Sequence, residues 1–416
     1  LVLESKLKKI RSGAKALRLS SAEKRNKVLK DAAIAILQNQ KKILAANTKD
    51  LNALDGNAAP AFRDRLTLNE VRLNQMAASL NQLAELPDPL ASSSKQKTLK
   101  NGLKLRKVHS PLGVIFMIFE SRPNVAVEAF SMGFKAGNTM ILRGGKESQH
   151  TTNVLYSLLA SALKKNKFSE HILWGISNPD RTIVSKLLRQ KNYIDVVVPR
   201  GGDGLIHFVV ENSLIPIIKN DRGLCHTYVH FDADIEMAAK ILVNAKTQRP
   251  GVCNSMETIL VHSKAAVKLL PLVYNLMSPF KVKWFVCPKT KKILNKLSNV
   301  GIATDKNYAT EYLDQIVNCR IVESFEEATE HIEKFGSRHS EAIITASKMT
   351  AARFQKEVDA AVVYHNASTR FTDGFEFGLG GELGISTQKL HVRGPVGLQA
   401  LTNERWVVDG NGQIRD

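Results

Sequence analysis

Apolar and polar positions change rhythm twice along this 416-residue chain. Residues 1–86 place apolar side chains at the three- and four-residue spacing of amphipathic helices. Ser20-x-x-Glu23 and Thr67-x-x-Glu70 have capping-box form and predict two helix starts, and Pro87-Asp88-Pro89 ends the second. Over 98–108 apolar and basic residues alternate around Asn101-Gly102, which predicts a β-hairpin. From Leu112 onward, apolar runs of strand length alternate with amphipathic stretches. Strands are expected over 112–119, 139–142, 171–176, 194–198 and 214–218, with helices over 124–136, 151–165, 180–190 and 203–212 between them. A second series has strands over 225–230, 258–262, 281–286, 317–322, 341–345 and 360–364, and helices over 234–247, 264–277, 325–335 and 347–357. Continuous apolar strands between amphipathic helices form mostly parallel sheets covered on both faces. The fold class is therefore α/β, with two doubly wound domains, since 416 residues exceed one ordinary core. Past Asn366 the chain turns Gly-rich and polar to about Leu398, and 405–414 reads as a strand and turn.

Composition narrows the class. Hydrophobic residues make up 44% and charged residues 24%, as in ordinary globular enzymes. The longest apolar run, 112–119, is far short of the ~18 residues of a membrane span, so no membrane association is expected. The basic N-terminus lacks an apolar signal core and reads as an amphipathic helix. Four cysteines (225, 253, 287 and 319) without a Cys-x-x-Cys pair argue against zinc or a disulfide framework, and for free thiols in a cytoplasmic protein. The formal charge of +20 raises nucleic-acid binding, but aromatics are only 6% and the lysines are scattered over helix surfaces. A basic surface also draws in phosphorylated ligands without requiring DNA.

Candidate chemistry gathers at element junctions. Residues 248–258 (Gln-Arg-Pro-Gly-Val-Cys-Asn-Ser-Met-Glu-Thr) place Cys253 in a bent polar loop between a helix and a strand, beside Arg249 and near Lys246. A nucleophilic thiolate and a buried structural thiol both fit that placement. Arg143-Gly144-Gly145-Lys146 follows an apolar strand, at the edge where open α/β sheets hold ligands, and suits the ribose or 2′-phosphate of a dinucleotide. Arg200-Gly201-Gly202 repeats that logic before a helix N-terminus able to face a pyrophosphate. Arg122 and Asn124, in 119–125, are candidates for holding an oxyanion or phosphate, with a helix cap as the plain alternative for Asn124. Residues 378–384 lack Rossmann glycine spacing and read as a loop over a site.

Residues 119–125 with 142–148, 193–202, 244–258, 366–374 and 377–402 together resemble the gamma-glutamyl phosphate reductases of the aldehyde dehydrogenase superfamily, in order and across nearly the whole chain. The resemblance implies NADPH-dependent reduction of L-glutamate 5-phosphate to L-glutamate 5-semialdehyde with release of phosphate, in proline biosynthesis. It implies Cys253 as nucleophile, forming a thioester, with its backbone N–H and Arg122 at the oxyanion. It implies Glu311 on the nicotinamide ribose, and Arg370, Lys389, Arg393 and His339 at the substrate's carboxylate or phosphate. The stretch 219–223 shows no clear counterpart of the water-activating Glu of aldehyde-oxidising relatives, although Asp221 is a possible substitute. The implied architecture is a cofactor domain (1–224), a catalytic domain (225–365), and a tail (366–416) returning to the first and completing an oligomerisation flap with the 98–108 hairpin. A homo-oligomer is expected, and glutamate 5-kinase is a possible transient partner. An oxidising or CoA-acylating aldehyde dehydrogenase and a nucleic-acid-binding protein on an inactive scaffold are the competing readings.

Overall fold

The computed structural model describes residues 2–56, 58, 60–120, 122–177, 180, 182–219, 222–295 and 299–415. The chain divides into two compact units: Leu1–Lys219 with Gly378–Gly384 and Val396–Asp416, and Asn220–Phe377 with Ile385–Pro395.

The first unit carries a four-stranded parallel sheet in the order Leu173–Gly175, Thr139–Arg143, Val114–Phe119, Val196–Arg200. All six residues of Val114–Phe119 are buried, because helices cover both faces of this central strand. The expected strand over 214–218 shrinks to one bridge between Val197 and Ile217. Pro216 accepts from Val197 N–H through its carbonyl but has no N–H to extend the ladder. Lys135, buried in the helix Asn124–Lys135, donates to the carbonyls of Ala84 and Leu86 and to Asn26 Oδ1. It thereby satisfies the end of the helix Glu70–Glu85.

A separate three-stranded antiparallel sheet in this unit joins Lys97–Thr98, Lys104–Pro111 and Thr402–Asp409. Gly102, at φ +82°, makes the left-handed corner of the hairpin, and Gly102 N–H bonds Leu99 C=O at 2.9 Å.

The second unit holds a seven-stranded parallel sheet in the order Val300–Ile302, Lys283–Val286, Ile316–Val322, Met256–His262, Cys225–Val229, Ser340–Ile344, Val362–His365. Six of these strands match the sequence pattern. Val300–Ile302 does not announce itself, being a three-residue edge strand in a polar stretch. This unit keeps the chain to Phe377 and takes back Ile385–Pro395, whereas the sequence reading returned everything past 366 to the first unit. Thr369 donates to Asn254 C=O, and Lys389 and Arg393 both pair with Asp359, which ties these segments to it.

Both expected capping boxes are displaced. The caps are Ser21, accepting from Lys24 N–H at 3.3 Å, and Asn69, accepting from Arg72 N–H at 2.8 Å. Ser20 and Thr67 instead donate backwards, to Leu17 and Arg63 carbonyls, and finish the preceding helices. Asn69→Ala is therefore expected to cost about 1 kcal/mol of stability, and Thr67→Ala less than about 0.5 kcal/mol. Urea denaturation followed by circular dichroism of the two variants checks the order.

Candidate active site

Cys253 lies on the loop between the helix Ile235–Thr247 and the strand Met256–His262. Asp234 caps that helix by accepting from Met237 N–H. The loop ends in a turn across Cys253 and Asn254, closed by Ser255 N–H to Val252 C=O at 3.0 Å. Cys253 is half-buried, in contrast to the fully buried Cys225 and Cys319, and none of the four cysteines is joined in a disulfide.

Gly223 sets the position of this turn. A Cβ built there would fall 1.7 Å from the Cys253 carbonyl oxygen, so no residue with a side chain fits against it. The same carbonyl accepts the Cys225 thiol at 3.2 Å. Asn254 is held from the other side: its amide donates to Thr372 C=O at 2.7 Å, its carbonyl accepts from Thr369 Oγ1 at 2.8 Å, and its side-chain oxygen accepts from Arg370. Arg370 Nε also donates to Gln248 Oε1 at 2.9 Å, which pins the loop's first residue. Burial, then the charge of Arg249, lowers the Arg370 pKa, while Asp373, Cys253 and Cys225 pull it up. Arg370 is thus a cation coupled electrostatically to Cys253, a placement that favours the thiolate.

Lys246 is engaged away from Cys253. It is fully buried and bonded to Glu257 Oε2 at 3.0 Å, so its charge is spent on that carboxylate. Glu311 accepts Gly223 N–H at 2.8 Å, engaging the residue that abuts Cys253. The other substrate candidates separate. His339 is completely buried, with Nδ1 2.8 Å from Ser340 Oγ and 3.7 Å from Cys225 Sγ, which leaves it no surface for a substrate. Lys389 and Arg393 pair with Asp359 at 2.9 and 2.7 Å, and these cations hold its carboxyl down to about 2. Asp221 lies outside the described residues.

Gly223, Asn254, Cys253, Glu311 and His339 all lie just before parallel strands, so this cluster stands at the amino edge of the seven-stranded sheet.

The first unit places its own candidates at the carboxyl edge of its sheet, where such folds hold ligands. A cleft of about 580 Å³ is lined by Phe119, Glu120, Arg143, Gly145, Lys146 and Glu147, with Gly204 and Phe208 on its wall. Gly144 backs this cleft, with a Cβ position 3.1 Å from the Phe119 ring. Gly201 is tight for a different reason than ligand approach: its Cβ would meet the Glu120 carboxyl at 2.5 Å. Glu120 accepts Gly202 N–H at 2.9 Å, so a carboxylate already serves the N-terminus expected to face a pyrophosphate. Arg200 turns to Glu382 C=O and Glu128, at 3.4 and 3.6 Å. Asn124 is exposed and is the first helical residue, after Pro123, so it does not cap the helix. Arg122, half-buried just before that helix, accepts Val125 N–H through its carbonyl at 3.0 Å.

Sequence reasoning passed over Gly223, Cys225, Asn254 and Glu257. Glu257 carried a usable signal, an acidic residue inside an otherwise apolar strand start eleven positions after Lys246. Among the described residues no cluster of His, Cys, Asp and Glu is arranged for a metal ion, and no helix is long and apolar enough to cross a membrane.

Burial lowers the His339 pKa from 6.5 to about 4. Between those values the unfolded chain binds a proton that the folded protein does not, so acidification through this window removes stability. Relative to His339→Gln, the wild type is expected to lose up to about 1.4 kcal/mol for each pH unit below 6.5. Urea midpoints of both proteins at pH 6.5, 5.5 and 4.5 measure the difference.

The Aldehyde dehydrogenase family model matches residues 3–290. The gamma-glutamyl phosphate reductase of Carboxydothermus hydrogenoformans is 47% identical over 409 residues, 98% of each chain. That of Moorella thermoacetica is 46% identical over 416 residues, 100% of this chain and 99% of its own. The crystal structure of gamma-glutamyl phosphate reductase from Thermotoga maritima matches over 100% of both chains, with a TM-score of 0.96 and 40% identity. An acetylating aldehyde dehydrogenase from Geobacillus thermoglucosidasius shares the fold at 16% identity and a TM-score of 0.71, over 99% of this chain and 97% of its own. The chain belongs to the aldehyde dehydrogenase family of oxidoreductases, in its gamma-glutamyl phosphate reductase branch.

Proposed function

We propose that this protein reduces L-glutamate 5-phosphate to L-glutamate 5-semialdehyde, with NADPH as reductant and release of inorganic phosphate, as a step of proline biosynthesis. The observation that carries this reading is the half-buried Cys253 on a turn fixed by Gly223 and by the Asn254–Arg370 contact, in a chain 47% identical to a gamma-glutamyl phosphate reductase. The Cys253 thiolate attacks the acyl carbonyl, the carbon–oxygen bond to phosphate breaks, and a thioester remains on Sγ. A turn that fixes Cys253 also fixes its backbone N–H, a donor suited to the oxyanion of that step. Arg370 is our candidate to receive an anionic group of the substrate, because it is a cation held against the Asn254 side chain beside Cys253.

Arg143 and Lys146 are cations of the first-unit cleft suited to an NADP phosphate, alongside its Glu120 and Glu147 carboxylates, and Gly144 and Gly145 give close backbone approach. NADPH, when bound, would supply the hydride that takes the thioester carbon to the aldehyde level. The carbon–sulfur bond then breaks, and Cys253 returns to the thiolate.

The strand Thr402–Asp409 forms an outer edge of its three-stranded sheet, with Trp406 61% exposed. An eight-residue edge of this kind is ordinarily covered, and a second copy of the chain is our proposed cover. Light scattering at micromolar concentration is expected to give a multiple of the chain mass; the mass of one chain contradicts the proposal.

The reaction is tested in reverse, with L-glutamate 5-semialdehyde and NADP⁺. Wild type is expected to form NADPH only with phosphate present, and Cys253→Ala to form none. Equal turnover without phosphate contradicts the reading and points to water as acceptor. Gly223→Ala forces the Cys253 carbonyl to move and is expected to lower kcat by about 100-fold, while wild-type kcat would remove Gly223 from the account.

A further inference from the structure

A buried ion pair closes the base of the nucleophile loop. Lys246, in the last turn of Ile235–Thr247, and Glu257, second in Met256–His262, flank residues 247–256 and are 0% and 1% exposed. Glu257 sits where the ladder between neighbouring strands slips: Cys225 pairs with Met256, but His226 pairs with Thr258. Such a slip re-aims a side chain. Its Oε2 accepts from Lys246 Nζ at 3.0 Å and its Oε1 from Leu313 N–H at 3.3 Å.

Leu313 holds a left-handed backbone, φ +53°, which costs a non-glycine residue energy and persists only where its surroundings impose it. Two residues earlier, Glu311 accepts Gly223 N–H at 2.8 Å, and Gly223 abuts the Cys253 carbonyl. A path of direct contacts therefore runs from Lys246 through Glu257 and the 311–313 segment to Gly223 and back to the loop that Lys246 opens.

Such an arrangement is a weak source of stability. Burial raises the Glu257 pKa to about 7 despite the pull of Lys246, and burial lowers that of Lys246. Both shifts oppose the charged state, and apolar or neutral replacements of such pairs are often as stable or more so.

We propose that the Lys246–Glu257 pair is a positioning device for Cys253, holding both stems of its loop and the 311–313 segment in one register, so that its effect on kcat is separable from its effect on stability. The proposal rests on the reading of Cys253 as the nucleophile.

The test compares two double variants in the phosphate-dependent reverse assay, with thermal melting of each. K246M/E257Q removes both buried charges and keeps an acceptor for Leu313 N–H, but severs the link between the stems. It is expected to melt within about 4 °C of wild type, with kcat lowered about 10- to 100-fold and KM within about threefold. K246Q/E257Q can rebuild the link as a neutral hydrogen bond and is expected to recover most of kcat. Wild-type kcat in K246M/E257Q, or equal loss in both variants, overturns the proposal. If K246M/E257Q does not fold, E257D decides: a shorter carboxylate cannot reach both partners, and wild-type kcat in that variant also overturns it. C253A, run alongside, separates the two claims. Turnover in C253A sinks the nucleophile reading itself, whereas an inactive C253A beside a fully active K246M/E257Q sinks only the positioning role.

Discussion

The second unit depends on a close approach of backbone to backbone, Gly223 against the carbonyl of Cys253. No side chain fits between them, so the chain entering the strand Cys225–Val229 and the loop entering Met256–His262 hold a single mutual position. The contacts that surround this point all tighten it. The Cys225 thiol bonds the same carbonyl, Glu311 holds Gly223 N–H, and Asn254 is gripped by Thr369, Arg370 and Thr372. A side chain on a loop is mobile by default. Here the loop is tied at its first residue, at its turn and at both stems, which is the preorganisation that covalent catalysis draws on.

The two sheets supply different kinds of edge. The four-stranded sheet offers its carboxyl edge, where Glu120, the Gly144-Gly145 turn and Gly201-Gly202 follow successive strands and a cleft opens beside Arg143 and Lys146. Carboxyl edges suit extended ligands, because strand-to-helix turns can leave room between them. The seven-stranded sheet offers its amino edge, where incoming segments converge on one another and bond laterally. That crowding suits a fixed thiol. Its cost is visible in the groups buried behind it: Cys225, whose pKa burial drives well up, His339, held neutral, and the Lys246–Glu257 pair.

Most of the fold was legible because parallel strands buried on both faces leave apolar runs, as at 114–119 and 259–261. What escaped was short or lay at a junction. Val300–Ile302 has too few residues to show a pattern, and Pro216 reduced an apolar run to a single bridge. The caps moved because a Ser or Thr hydroxyl is as able to bond backwards to the helix it ends as forwards to the one it precedes. Among the candidate residues of the two units, Cys253 and the Arg143–Lys146 turn stood out through residue type at a junction. The reach of a cation did not: Arg370 turned to Asn254, Lys389 and Arg393 turned to Asp359, and Lys246 was spent on Glu257. Partner choice among cations is set by tertiary packing, which a linear pattern does not carry.

The most direct test of the account is intact-mass and peptide mass spectrometry of the protein mixed with L-glutamate 5-phosphate, generated in situ, with no nicotinamide present. The account predicts one glutamyl group per chain, on the peptide containing Cys253, released by hydroxylamine as a thioester is. An unmodified Cys253 under these conditions, or a glutamyl group found on another residue, would contradict it.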